Sequence, residues 1–420
     1  GKRTSLLQPR QIEERTTGPP DIRGCPHGFR TYSLRCTTPY DTVLALKNFR
    51  RRFFKVVIRI SIFWVLFTLP NPLQATGLHV GTDPRIELLT TVQLLSGYPF
   101  LTPHQTHYAR VLFERFSSHL NHPAVRHFRS LSASTGWSDA YPTAMLYLSD
   151  PPELEEVFPI PPPVYAAFNG PENFGRFVSA LRGFTHQTRF MHFYHSQESF
   201  FRALEQDFRD HLGDHDPIST VESYFGIRQI SYHIILSPLL HHGGFGPHIG
   251  RSGGPYDVYT LLGPTKASHG IPSYGPRSHL LELIWHEFSH AFTNDLAGAY
   301  SKELLQREVL YIPLSKSMKS MGYTRWIDSA NEHVIRAVTA RLSTQVFGPE
   351  QGYQALREDA ERGFHYVHAL SRRLVDYEQN RAVYPTFSHF YPRIVEAFEA
   401  LDHLQTPRPP AGEKTRPERD

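Results

Sequence analysis

The chain has 420 residues, 40% of them apolar and 20% charged, with a mean hydropathy of −0.39. That composition excludes a wholly disordered chain and a polytopic membrane protein. The formal charge of +4 is unevenly placed: residues 1–75 hold 13 of the 44 Lys and Arg but 4 of the 40 Asp and Glu, so the rest of the chain is net acidic. A nucleic-acid footprint needs cations gathered on the folded body, and nucleic acid is therefore excluded as a partner.

Residues 1–46 read as an upstream or unstructured leader, since no Met precedes Met145 and a start near Val43 or Leu46 would leave them untranslated. Residues 47–75 read as a signal peptide: a basic run from Lys47 to Lys55, an apolar stretch ending at Leu69, and a small residue, Ala75, as the cleavage site. The apolar stretch is shorter than the roughly 20 residues a membrane span needs, so no stable span is expected after cleavage. The expected location is exported, periplasmic or secreted. Both cysteines, Cys25 and Cys36, fall in the leader. The mature chain then has no disulfide and no thiolate chemistry, and its reactions must use histidines, carboxylates, hydroxyls or a metal.

Residues 76–225 form a mostly helical region. Ile86, Leu88, Leu89, Val92 and Leu95, then Val111, Leu112, Phe116 and Leu120, recur at spacings of three and four, punctuated by Gly97-Tyr98-Pro99 and Asn121-His122-Pro123. A second helical block runs from Asn173 to His211. Two β-branched and aromatic runs, Gln229–Leu236 and Tyr256–Leu262, predict strands. The glycine-rich segment between them, His241–His248, is expected as a surface loop or a flap over a cleft. From Ser278 to about Leu401 the chain is again mostly helical, and residues 406–420 form a disordered tail. Residues 226–405 are the expected catalytic region.

That region contains Trp285-His286-Glu287-Phe288-Ser289-His290. On a helix His286 and His290 lie one turn apart on one face, which lets two imidazoles hold one zinc ion, while Glu287 reaches a water beside it as general base. A catalytic zinc needs a third protein ligand and an open position. Thr293 and Leu296 stand where metzincins have their glycine and third histidine, so the third ligand comes from elsewhere. Glu332, at the border of an apolar face and in an Asn-Glu pair resembling that of gluzincins, is the first candidate; Asp295, Glu303 and Glu308 are the alternatives. Asp295 and Asp328 are candidate partners for the histidines' second nitrogens, and Tyr366, His365 or Tyr384 for an oxyanion donor. Either predicted strand could be the edge to which an extended peptide adds.

The segments Asp83–Leu89, Gly243–Pro247, the HExxH run, Glu332 with Arg336-Ala337, Gly363–Val367 and Tyr384–Pro392 together resemble the bacterial family catalogued as domain of unknown function 4932, regarded as zinc metallopeptidases. The resemblance implies an α+β, zincin-like fold: a small mixed sheet in a predominantly helical chain, with zinc on His286, His290 and Glu332 and Glu287 as the base. It implies an exported, zinc-dependent peptidase acting on a peptide or protein. Two alternatives stand beside it: a zinc hydrolase of non-peptide amides or esters, and a non-catalytic binding protein whose site is absent or is closed by His333 or a histidine of the 241–248 segment. The oligomeric state is not read from the sequence.

Overall fold

The structure, a computed structural model, describes residues 77–102, 106–136, 138–266 and 272–405. The leader, the signal-peptide segment and the tail from 406 lie outside the described residues. Among the described residues five strands stand in a predominantly helical fold, the α+β class expected. They are β1 (Leu78–Gly81), β2 (Ser231–Leu236), β3 (Gly243–Phe245), β4 (His248–Ile249) and β5 (Asp257–Gly263). β1, β2 and β5 are parallel neighbours in that order, with His79, His233 and Tyr259 level across them. β3 and β4 both pair antiparallel along the outer side of β5.

The two predicted strands appear as β2 and β5, but neither is an edge. β2 lies between β1 and β5, and β5 is covered by β3 and β4. The outer edge beside β5 is made by the glycine-rich segment expected as a loop or flap. Glycines carry little strand propensity of their own, so this segment owes its extended form to β5. Its register does not change from Gly243↔Gly263 to Ile249↔Asp257. The Tyr259 amide donates to the Pro247 carbonyl at 2.9 Å, which keeps the ladder continuous across a proline that has no N–H of its own.

Both faces of the sheet are covered, as parallel strands require. Tyr232, Ile234, Leu236, Val258 and Leu262 face the core built around the helix Arg277–Ala299. Ile235, Ile249 and Leu261 face the core of the N-terminal helices. β1 comes from the N-terminal region and pairs with β2, so one sheet serves both regions. Four residues are too few for β1's alternation to show in the sequence.

The first helix, Pro84–Ser96, starts where the Asp83 side chain accepts the amides of Arg85 and Ile86, with proline in its first turn. The block from Asn173 to His211 is three helices: Pro171–Thr188, Phe190–Ser196 and Glu198–Leu212. Its first break falls at Arg189, whose φ of 54° is left-handed and cannot continue a helix. C-terminally, Trp326–Phe347 packs on Arg277–Ala299, and Pro349–Arg362 and Val367–Gln379 pack on Trp326–Phe347. No helix among the described residues is long and apolar enough to cross a membrane.

Candidate metal centre

The HExxH run lies mid-way along Arg277–Ala299, a helix that begins after Pro276 and meets no proline or other breaker before Gly298. Leu280, Leu281, Ile284, Trp285 and Phe288 are fully buried and fix its rotation, which turns His286 and His290 toward Trp326–Phe347. Glu332 projects from that second helix to meet them. His286 Nε2 lies 3.3 Å from Glu332 Oε1, and His290 Nε2 lies 3.9 Å from Glu332 Oε2. One ligand atom from each of the three residues falls within 4.8 Å of the others. Tetrahedral zinc with bonds of about 2.0–2.1 Å places its ligands roughly 3.4 Å apart, so these residues fit such an ion. Among the described residues no fourth histidine, cysteine or carboxylate joins the group.

Glu332 is only 1% exposed, not at the border of an apolar face as the sequence suggested. Its burial is made tolerable by cations. Arg336, one turn on, places Nη2 2.7 Å from Glu332 Oε1 and is itself held by Asp359 at 2.7 Å and by the ring of Phe364, 4.1 Å from its Cζ. Burial pushes the Glu332 carboxyl up, but His286, Arg336 and His290 outweigh it and hold the group well below the usual carboxylate range. Burial also acts downward on His286, where the Glu332 charge prevails and raises it, and on His290, which falls to about 4. A neutral His290 is what metal ligation requires.

Glu287 is 4% exposed, with Oε2 3.9 Å from His290 Nε2. Burial lifts its carboxyl to about 7. That value suits a base that must take and return a proton near neutral pH.

The partner of the His290 Nδ1 is neither Asp295 nor Asp328 but Asn294, whose Oδ1 is 3.2 Å away. The Asn331 amide donates to the same Oδ1 at 2.8 Å and so ties the two ligand helices together. Asp295 instead accepts from the Tyr256 hydroxyl and the Gly253 amide, and Asp328 is paired with Arg325. Glu303 and Glu308 are exposed, away from the group. His333 is a core residue: its Nδ1 lies 2.6 Å from the Ser329 carbonyl and its ring packs on Phe364 and Tyr366.

The residues suggested as oxyanion donors do not line the cleft. The Tyr366 hydroxyl donates to the Leu310 carbonyl inside the core, Tyr384 accepts from Arg393, and His365 is exposed. Tyr323 lines the cleft instead, with its hydroxyl donating to Glu332 and its pKa raised by burial and by the Glu332 charge. The sequence signal for it was its position in the short connection that enters the Glu332 helix, upstream of the ligand instead of downstream.

A cleft crosses the site in two arms that meet at Gly244, His286, Glu287 and Tyr323. One, of about 300 Å³, runs past Gly243, Arg336 and Asp359; the other, of about 670 Å³, runs past Phe245, His248 and Asp139. β3 forms a wall of both. Because Pro247 pairs with Tyr259 through the ladder, alternate residues Gly244 and Gly246 turn their own amides and carbonyls outward, away from β5. The strand can lie this close only as glycine: a Cβ on Gly246 would stand 2.2 Å from the Glu287 carbonyl oxygen, and one on Gly244 2.9 Å from Leu262 and 3.4 Å from the Glu287 Cγ.

Comparison with known families gives a match over residues 165–397 to the domain of unknown function described as DUF4932. The chain belongs to that family. The matched segment contains β2 to β5, the HExxH helix and Glu332. Neither the curated proteins nor the solved structures compared with it contain a match.

Proposed function

We propose that this DUF4932 chain is an exported zinc-dependent metallopeptidase. The observation that carries the reading is the convergence of His286, His290 and Glu332 from two helices, with Glu287 beside them and a free strand edge along the cleft. Bound zinc would supply Lewis acidity, lowering the pKa of a water and polarising the scissile carbonyl. The chain supplies the rest. Glu287 takes the proton of the attacking water and hands it to the leaving amine. The Tyr323 hydroxyl, hydrogen-bonded to Glu332 as the site stands, would turn from that carboxylate to donate to the oxygen that gains charge. The outward amide and carbonyl of Gly244 and the outward amide of Gly246, whose carbonyl already accepts from His248, hold an extended peptide, most stably antiparallel to β3. The export part of the reading rests on residues 47–75.

The test is elemental analysis and peptide cleavage with the full chain. The wild type is expected to hold about one zinc per chain, His286→Ala and Glu332→Ala to lose it, Glu287→Ala to keep it without turnover, and Tyr323→Phe to keep it with kcat lowered at least about tenfold. Zinc retained by Glu332→Ala overturns the ligand set. Zinc without peptide turnover, but with turnover of a simple ester or amide, moves the reading to a non-peptide hydrolase. A zinc-free wild type after incubation with zinc favours a binding protein.

A further inference from the structure

The two arms of the cleft differ in charge. The smaller is mixed, with Arg336 and Arg362 beside Glu358 and Asp359. Among the described residues no lysine or arginine lines the larger, yet Asp139, Asp328 and Glu287 face it. Arg325 neutralises Asp328 at 2.6 Å. Asp139, at the start of the helix Ala140–Leu146, makes no ion pair among the described residues. It opens to the cleft, and its charge is felt at Glu287. Surrounding protein raises its carboxyl pKa by desolvation, which its own amide and that of Ala140 only partly offset. An exposed carboxylate on a cleft wall with no cation beside it focuses a negative potential there, which a cation arriving with a ligand meets.

The direction of β3 fixes which part of a substrate brings the cation. The strand runs from Gly243, beside the smaller arm, to Phe245, beside the larger. A peptide antiparallel to it lays its amino-terminal side past Phe245 and His248, over Asp139.

We propose that Asp139 forms an anionic subsite that binds a cationic group on the amino-terminal side of the scissile bond. This inference rests on the peptidase reading. The cation has two sources, a free α-ammonium group or a Lys or Arg side chain. The first would make the enzyme act near amino termini; the second would make it select basic sequences within a chain.

The experiment uses the zinc-loaded full chain as Glu287→Gln, with Asp139 intact or as Asp139→Asn. Binding is measured by fluorescence anisotropy for three peptides of one length labelled at the carboxyl end: one with a free amino terminus and no basic residue, one acetylated with a single lysine, and one acetylated and neutral. With Asp139 intact, one or both cationic peptides should bind about tenfold tighter than the neutral one. In the Asp139→Asn protein the preference should fall below twofold, while neutral-peptide affinity and zinc content stay unchanged. The cationic peptide that gains identifies the source. Equal preference with and without Asp139, or no charge preference at all, overturns the subsite while leaving zinc and turnover intact. An Asp139-dependent preference in a protein whose Glu287 form cleaves nothing would instead overturn the peptidase reading and leave the subsite.

Discussion

Replacing Arg336 by methionine tests whether the buried third ligand is built for a cation. The guanidinium lies 2.7 Å from both Glu332 and Asp359, with its own side chain 16% exposed and that of Glu332 2%. Methionine keeps much of the stem that packs on Phe364 and loses the charge. Asp359 retains Arg362 at 3.5 Å, so Glu332 is the group left exposed to the loss. Removing one partner of a buried ion pair costs about 3–5 kcal/mol; Arg336 retains some solvent access, so about 3 kcal/mol is expected without metal. Zinc on Glu332 takes over the neutralising role, and the substitution removes the repulsion between zinc and the guanidinium, so the loss in zinc should shrink to about 1 kcal/mol. The assay is guanidinium unfolding of both proteins followed by circular dichroism, in EDTA and in excess zinc. Zinc should stabilise Arg336→Met more than the wild type by about 2 kcal/mol, roughly thirtyfold in the zinc-linked equilibrium. An equal loss in both conditions would refute the argument, since it would show that Arg336 acts only by packing.

Two further variants probe the scaffold. Glu87 is fully buried, accepts from the Tyr108 and Ser237 hydroxyls at 2.7 and 2.8 Å, and burial lifts its carboxyl to about 7. A group whose acid form is favoured by folding stabilises fully below its ordinary value near 4.5 and loses that contribution as pH rises through about 7, by up to about 3 kcal/mol. Glu87→Gln should therefore match the wild type near pH 4 and exceed it by about 1–3 kcal/mol at pH 8 in denaturant unfolding; a variant less stable at pH 8 would refute this. Gly246→Ala, whose new Cβ meets backbone and not a movable side chain, should cost about 1–3 kcal/mol and most of the turnover while zinc content is kept. Unchanged melting temperature and activity would show that β3 does not rest on Glu287.

What the sequence made legible follows from how local each signal is. His286 and His290 are four residues apart, and helix geometry alone brings them together. Glu332 is 42 positions further on, and only tertiary packing decides that it, and not Asp295 or Glu308, meets them. Asp295 was a reasonable rival by spacing, but Tyr256 and Gly253, distant in sequence, capture it. The edge strand was missed for a related reason. Gly243-Gly244-Phe245-Gly246-Pro247 has no propensity to be a strand, and its glycines are explained by Glu287 and Leu262 on the far side of the contact. Tyr366 and Tyr323 show the opposite outcomes of one residue type. Both are tyrosines near apolar helices, but the first finds a backbone carbonyl in the core and the second a ligand carboxylate at the cleft.

On the proposed function, the arrangement separates holding a metal from choosing a ligand. His286, His290, Glu332, Asn294, Asn331, Arg336 and Asp359 all come from three consecutively packed helices on one side of the sheet. Asp139 and Tyr147, in the larger arm of the cleft, cap the two ends of the helix Ala140–Leu146, which packs into the core on the other side. The two sets meet across β3, whose free edge runs between them. Changes in the N-terminal wall should then alter which ligand is bound without moving the donor atoms, because the contacts that orient those atoms, from Asn294, Asn331, Arg336 and Asp359, lie within the three helices. Variation among DUF4932 chains should follow this division: substitutions around Asp139 should change substrate preference at constant zinc content, while those at Arg336 or Asn294 should change zinc affinity for every substrate alike.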